Sequence, residues 1–369
     1  MTDKMLDECY EKAKEVIKSC STKHGLFASA GREGYNEVWA RDSMISFLGA
    51  SLIKEPLFKN TFKQSLILLA NNQSKKGQIP NAVDKFSDRK PHVDYASIDS
   101  SLWYIIGHYA YNKRYKDNSL FKKYKKTIQK ALSWLEYQDI GENGMLGQLP
   151  TTDWQDAFPH KYGYTINTHA LYYKVLNLTG RKNDAKKLKF MVNENEGTKL
   201  WNGSFYAPYR WKNHNKYLEI GDWFDSLGNL LAIIFDLADK SKAEKILSYM
   251  DKKKINMPYP VKAIYPPIKK GTKNWQDYFE DCEAWKPYHY LNAGIWTYIG
   301  GFYVLSLIKL KKSKKAESEL KKLAEANLKG NFPEWIDPLT KKPYGKLQAW
   351  NAGAYILAYE SLKKKKALL

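Results

Sequence analysis

Leu227-Gly228-Asn229-Leu230-Leu231-Ala232-Ile233-Ile234-Phe235 is apolar around nearly the whole circumference of a helix, while the segment after it, near 240–251, is apolar along one stripe and carries lysine elsewhere. A helix that is hydrophobic on every side is buried, and a helix with one apolar stripe lies outside such a core. The same alternation runs outward in both directions. Helical periodicity predicts outer helices near 3–20, 57–73, 119–138, 182–193, 240–251 and 313–329, and inner ones near 41–54, 96–113, 163–180, 222–238, 289–309 and 346–366. Ser101-Leu102-Trp103-Tyr104-Ile105-Ile106 shows the inner character as clearly as Leu227 to Phe235. No stretch sustains the period-two alternation of a strand.

The connections are unequal. An inner helix reaches the next outer one in about one to five residues, whereas an outer helix returns to an inner one through roughly 16 to 37. Connections that long inside a compact domain usually carry function, and all six lie on the side where the inner helices begin. Six inner and six outer helices in this order predict an all-α fold, an (α/α)6 barrel or six-hairpin toroid, as a single domain over 1–369 with long loops on one rim. Similarity between the hairpins is weak, so the repeat is structural. The inner-helix N-termini add their positive dipole ends to the mouth and favour ionised carboxylates there; an acid that must keep its proton needs apolar or anionic neighbours.

Composition narrows the function. Aromatics make up 14% of the chain, with 12 Trp and 27 Tyr, which excludes a disordered chain and suits stacking on flat ligands. The net charge of +21 invites a polyanion partner, yet 54 of the 60 basic residues are lysine and only six are the arginine that reads phosphates and bases. A solvated basic surface is expected, without specific nucleic-acid recognition. Cys9, Cys20 and Cys282 are odd in number and lack CxxC spacing, and the seven His never pair at ligand spacing, so no disulfide framework, metal or other cofactor is expected. Residues 1–20 do not read as a signal peptide and no later run is long and apolar enough to span a bilayer, so the expectation is a cytoplasmic protein without membrane contact; its oligomeric state is not encoded legibly.

The predicted mouth collects acids beside Trp and Pro. Loop three holds Asp153-Trp154-Gln155-Asp156 ahead of Phe158-Pro159, and loop six holds Phe332-Pro333-Glu334-Trp335-Ile336-Asp337. Two such carboxyls are what glycosidic cleavage needs: one protonates the leaving oxygen, the other activates water, and indoles stack on the sugar. Apolar neighbours raise a carboxyl's pKa far enough for it to donate. In loop one, Trp39-Ala40-Arg41-Asp42-Ser43 reads either as a helix cap with its partner or as an Arg-Asp clamp on adjacent sugar hydroxyls over a Trp floor. Loop two offers Asn81 and then Asp99, one turn from Trp103; Asp99 is as readily a cap or a buried structural acid as a substrate contact. Trp223, His289, Asn292, Trp296, Gln348 and Trp350 complete the candidates from the later loops, with Asn167 and His169 at the start of the helix after loop three.

These segments resemble the six-hairpin glycosidases, above all the amylo-α-1,6-glucosidase domain of glycogen debranching enzymes and the neutral/alkaline invertases, from about Tyr35 to Tyr359. Trp39 to Ser43 is similar to the debranching Trp-Gly-Arg-Asp-Thr, Gly77 to Asn81 with Ile98 to Trp103 to its second signature, and Trp154-Gln155-Asp156 to its Trp-Met-Asp. Asp156 stands seven residues before Gly163, as the invertases' proton-donating Asp does, and Leu227-Gly228-Asn229 resembles their Leu-Gly-Asn helix. Phe332 to Asp337, Gly345 and Gln348-Ala349-Trp350 match the terminal motif of both families, whose Glu activates water. The chain departs from the pattern at Asn167, His169, Leu291 and Thr297.

The resemblance implies an exo-acting, inverting glycoside hydrolase with Asp156 as general acid and Glu334 as general base, their carboxyls roughly 6.5–9.5 Å apart. Arg41 and Asp42 would hold a terminal sugar, with Trp39, Trp103, Trp154 and Trp350 lining its pocket. The debranching-like motifs imply a terminal α-glucosyl unit on a short glucan. The alternatives are an invertase-like β-fructofuranosidase acting on sucrose and a catalytically silent carbohydrate-binding protein.

Overall fold

The computed structural model describes residues 4–31, 34–84, 92–214 and 217–369; residue 3, expected to open the first helix, lies outside them. The described residues form thirteen α-helices: α1 (Lys4–Cys20), α2 (Ala40–Ala50), α3 (Pro56–Asn71), α4 (Asp99–Tyr115), α5 (Ser119–Lys123), α6 (Lys125–Glu136), α7 (Ile166–Leu178), α8 (Lys182–Asn193), α9 (Ser226–Ile234), α10 (Lys240–Lys252), α11 (Thr297–Lys309), α12 (Ser313–Gly330) and α13 (Ala349–Lys363).

Helices α2, α4, α7, α9, α11 and α13 each pack on the next, and α13 closes on α2 to complete an inner ring. Every residue of α2 and of α9 is buried, and so is Thr297 to Ile308 of α11. Each large apolar side chain fully buried in this way contributes about 1.5–3 kcal/mol. The outer helices bury one stripe only: in α1 it is Leu6, Cys9, Ala13, Val16, Ile17 and Cys20, the spacing of one helical face. The expected (α/α)6 barrel is what the chain forms.

Three details differ from the sequence reading. The outer helix expected over 119–138 is two helices, broken at Tyr124 (φ −103°, ψ 19°), whose hydroxyl reaches Asn71 on α3 at 3.4 Å. The inner helix expected from 289 begins at Thr297, because Tyr288, Tyr290 and Ala293 all take positive φ values that no helix accommodates. The loops also contain strands: a three-stranded set (Val38–Trp39, Ala82–Val83, Val93–Asp94) and a four-stranded one (Gly147–Gln148, Gly163–Thr165, Tyr209–His214, Tyr217–Ile220). Most are two residues long, too short to show a period.

These strands decide where the site forms. Trp39, Thr165, Asp225, Trp296 and Gln348, each just before an inner helix, have extended backbones. The chain therefore enters each of these helices from a strand-like segment laid across the mouth. Of the five, Asp225 alone caps its helix through its side chain, accepting from the Gly228 N–H at 3.1 Å.

Candidate active site

One pit at the mouth gathers the residues that matter. Trp39, Arg41 and Asp42 enter it from the start of α2, Trp154 and Asp156 from the loop before α7, and Trp296 from the residue before α11. Glu334, Gln348 and Trp350 close it from the last loop and α13. The pit holds about 460 Å³ of space, counted out into open solvent. Asp156 and Glu334, at the two carboxylate motifs, face this same space.

Aromatic packing fixes its walls. Trp154 meets Trp296 and Tyr298 edge to face at 5.7 Å each, and Trp350 stacks on Tyr298 with ring centres 4.1 Å apart. The Trp296 indole donates to the Tyr290 carbonyl at 3.1 Å. Glu334 immediately precedes a short strand pair (Trp335–Ile336 with Pro343–Tyr344), its N–H donating to the Tyr344 carbonyl at 2.8 Å, while the neighbouring Trp335 stacks on Tyr344 at 4.1 Å. Gly345, at φ +65°, leaves room beside it; a Cβ there would stand 2.8 Å from the Glu334 Cβ.

Arg41 is the electrostatic centre. Its Nη1 forks onto Asp99 at 2.9 and 3.2 Å, and its Nη2 lies 3.8 Å from Asp156 Oδ2. Both Arg41 and Asp99 are buried, so the pair is held rigid under the pit floor. Arg41 thus braces Asp99 and faces Asp156, and Asp42 points into the pit without capping α2.

The three pit carboxyls all titrate above their ordinary range. Burial pushes Asp156 up to about 6 against the pull of Arg41, and Asp42 up to about 7 against the same guanidinium. Burial likewise raises Glu334 to about 7, moderated by hydroxyls donated from Tyr35 at 3.2 Å and Tyr290 at 3.4 Å. In all three, desolvation by burial is the largest cause. Asp156 keeps 39% of its side chain exposed at the pit, so a ligand that displaces the water there would raise it further.

Several residues expected at the site are elsewhere. Trp103 is fully buried beneath the pit, its ring 6.4 Å from that of Phe302, and Trp223 is likewise in the core. Asp99 supports Arg41 from below, and Asn81 donates to Asp94 at 2.8 Å in the loop scaffold. Asp153 is fully buried, paired with Lys161 at 2.9 Å, which reaches Asp225 at 3.1 Å as well. Asn292 pins its own loop through Ile268 and Ala284, and His289 packs its ring 5.2 Å from that of Trp335.

His169 is held by the Leu146 N–H and the Thr165 carbonyl, and burial lowers it to about 4, so it is a neutral structural imidazole. Asn167 is fully buried on α7, its amide without a protein partner among the described residues. The departures at Asn167, His169, Leu291 and Thr297 are all buried, and none of them lines the pit. Conversely, Tyr35 and Tyr290 line the pit, although neither was among the expected site residues. The one local signal was position: Tyr35 precedes Trp39 by four residues, and Tyr290 stands amid the aromatic segment before Trp296.

Comparison with known proteins finds similarity in two separate parts of the chain. Residues 11–142 match the family model described as amylo-alpha-1,6-glucosidase, and residues 220–365 match that of alkaline and neutral invertase. A probable alkaline/neutral invertase A, chloroplastic, of Arabidopsis thaliana is 23% identical over 333 residues, covering 73% of this chain and 51% of its own. Neutral/alkaline invertase 1, mitochondrial, of Oryza sativa subsp. japonica is 29% identical over 139 residues, covering 36% of this chain and 22% of its own. The chain thus spans about half or less of the length of these curated relatives. Among solved structures, the GH63 mannosylglycerate hydrolase of Thermus thermophilus, in complex with Tris and D-glycerate, superposes with a TM-score of 0.71 at 12% identity, over 94% of this chain and 99% of its own. Among the described residues no helix is long and apolar enough to cross a membrane. The chain has the six-hairpin (α/α)6 fold and is similar over residues 11–142 to the amylo-alpha-1,6-glucosidase family model and over residues 220–365 to that of alkaline and neutral invertase.

Proposed function

We propose that the pit is the active site of an inverting, exo-acting glycoside hydrolase that removes a terminal α-glucosyl unit from a short glucan. The observation that carries this reading is the convergence of Asp156 and Glu334 on one aromatic-walled pit. Asp156 gives its proton to the glycosidic oxygen as the bond from that oxygen to the anomeric carbon breaks. Glu334 takes a proton from the water that attacks the same carbon from the opposite face. Tyr35 and Tyr290, donating to Oε1 of Glu334, hold one oxygen of the carboxylate and leave the other for the water. Asp42, on the pit wall, is placed to accept from sugar hydroxyls.

The free pit orders the two groups oppositely to these roles, with Asp156 near 6 and Glu334 near 7. Productive molecules, with Asp156 protonated and Glu334 ionised, are most abundant between those values, and the profile is bell-shaped. A sugar filling the pit removes the water around Asp156 and holds its proton in place for transfer. A reducing compartment fits the three free cysteines, two of them buried, and this is the setting we infer.

The test is sugar release from maltose, isomaltose, limit dextrins and sucrose by the unsubstituted chain, Asp156→Asn and Glu334→Gln, with the product anomer read by proton NMR. Loss of at least about a thousandfold in both variants and release of β-glucose are expected. The C-terminal match to the invertase model favours a second reading, cleavage of sucrose, and sucrose hydrolysis without glucan activity would establish it. Full activity in both variants would remove the site assignment; sugar binding without any turnover would leave a carbohydrate-binding protein.

A further inference from the structure

A second concavity shares the mouth with the pit. It encloses about 900 Å³, against about 460 Å³ for the pit, and its walls come from the same loops. The loop between α6 and α7 sends Trp154 and Asp156 to the pit and His160 and Tyr162 to this groove. The loop between α10 and α11 sends Tyr290 and Trp296 to the pit and Lys273, Asn274 and Gln276 to the groove. The rest of its lining, Tyr209, Leu218, Glu219 and Ile220, comes from the hairpin Tyr209–His214 and Tyr217–Ile220, and none of these four lines the pit. Four residues separate Asp156 from His160, a chain length spanning at most about 14 Å. The groove therefore begins within reach of a short oligosaccharide whose end occupies the pit.

Its chemistry suits a neutral, hydroxyl-rich chain. Tyr162 lies against Tyr209 with ring centres 5.3 Å apart, and His160 Nδ1 is 2.9 Å from the Tyr278 hydroxyl, so rings form one flank. The Gln276 amide and the Asn274 side-chain carbonyl add polar groups, while Glu219 accepts from the Tyr162 hydroxyl through one of its carboxylate oxygens. Although the whole chain is strongly basic, this groove is not an anion site: Lys273 is paired with Asp222 at 2.7 Å, which also accepts from Asn274 at 2.8 Å. On the hairpin, Leu218 and Ile220 remain 52% and 41% exposed on an edge strand, apolar surface that a protein ordinarily covers.

We propose that this groove binds the leaving-group side of a gluco-oligosaccharide, so that the substrate class of the pit is a chain of several sugars and not a disaccharide. This rests on the hydrolytic reading of the pit. The terminal sugar enters the pit, the scissile bond lies beside Asp156, and the remaining units run over Tyr162 toward the hairpin.

Binding and turnover separate the two ideas. Asp156→Asn, which leaves a bound chain uncut, is titrated calorimetrically with maltose and with maltohexaose. The longer sugar should bind about tenfold more tightly, and adding Tyr162→Ala or Gln276→Ala should remove most of that difference. Gln276→Ala sits on an open loop and serves if Tyr162→Ala unfolds, as judged by its melting curve. Equal affinity for both sugars, or a gap that survives in the groove variants, overturns the proposal. So does light scattering that shows Leu218→Lys changing the mass in solution while the gap persists, because the strand would then face a second copy. Turnover by the unsubstituted chain is read separately: no sugar released, with groove-dependent binding intact, would sink hydrolysis and leave the groove standing.

Discussion

Glu334 shares Oε1 with two phenols, and their removal has a predictable sign. Both hydroxyls donate to the ionised carboxylate, so they hold its pKa below what burial alone would set. Tyr290→Phe removes one donor, and Glu334 then titrates above its present value of about 7. Asp156 titrates near 6, so Glu334 governs the upper limb of the bell. That limb should move to higher pH, while the maximum of kcat/KM falls roughly three- to tenfold, the worth of one hydrogen bond. A packing role for Tyr290 would lower the rate and leave the limb where it is. Gly345 acts on the same carboxylate through space: at φ +65°, with any Cβ only 2.8 Å from the Glu334 Cβ, Gly345→Ala must strain the backbone or push Glu334 aside. The expected cost is about 1–3 kcal/mol of stability in chemical denaturation, with a fall in kcat larger than any change in KM.

The elements that carry these residues depend on a buried charge network. Lys161 is fully buried and bridges Asp153, in the loop that carries Asp156, to Asp225, the cap of α9. Its Nζ also donates to Gln155 at 2.6 Å. Lys161→Met would strand two carboxylates without a partner, at a cost of about 3–5 kcal/mol in urea unfolding. Asp153→Asn with Asp225→Asn on that background should recover part of it; no recovery would mean that the lysine acts through packing alone. None of this was legible in the sequence, where Asp153 looks like half of a catalytic pair and Lys161 like one more surface lysine. Helix type was legible, because burial on all sides or on one stripe leaves a long periodic trace. The start of α11 was not, since the aromatic run before Trp296 has helical composition but takes positive φ at Tyr288 and Tyr290. Pit residues read correctly from motifs are those beside helix starts, such as Arg41, Asp42 and Trp350. A residue one turn further in, such as Trp103 or His169, shares the motif but is carried below the floor, and a motif alone does not say how deep a side chain ends.

At the scale of the whole molecule the pit is a product of ring closure. Arg41 and Asp42 ride on the first inner helix and Gln348 and Trp350 on or beside the last, so these two walls are brought together where α13 seals against α2, with Ser29 bridged to Gln348 above the seam. That seam is made of glycine. A Cβ on Gly353 would stand 2.3 Å from the Ser46 Cα and 2.4 Å from its carbonyl oxygen, and one on Gly49 would stand 1.9 Å from the Gly353 oxygen. These neighbours are backbone and cannot swing away, so even one methyl group must force the helices apart. Overpacking usually costs about 1–3 kcal/mol, and Gly353→Ala should lie at the upper end, read as a lower urea midpoint at unchanged slope. The protein that remains folded should also lose activity, because a parted seam moves Asp42 away from Gln348 and Trp350 without touching either carboxylate motif. Full activity per folded molecule in a destabilised Gly353→Ala would mean that the mouth loops hold the pit together on their own, and that the ring serves them only as a platform.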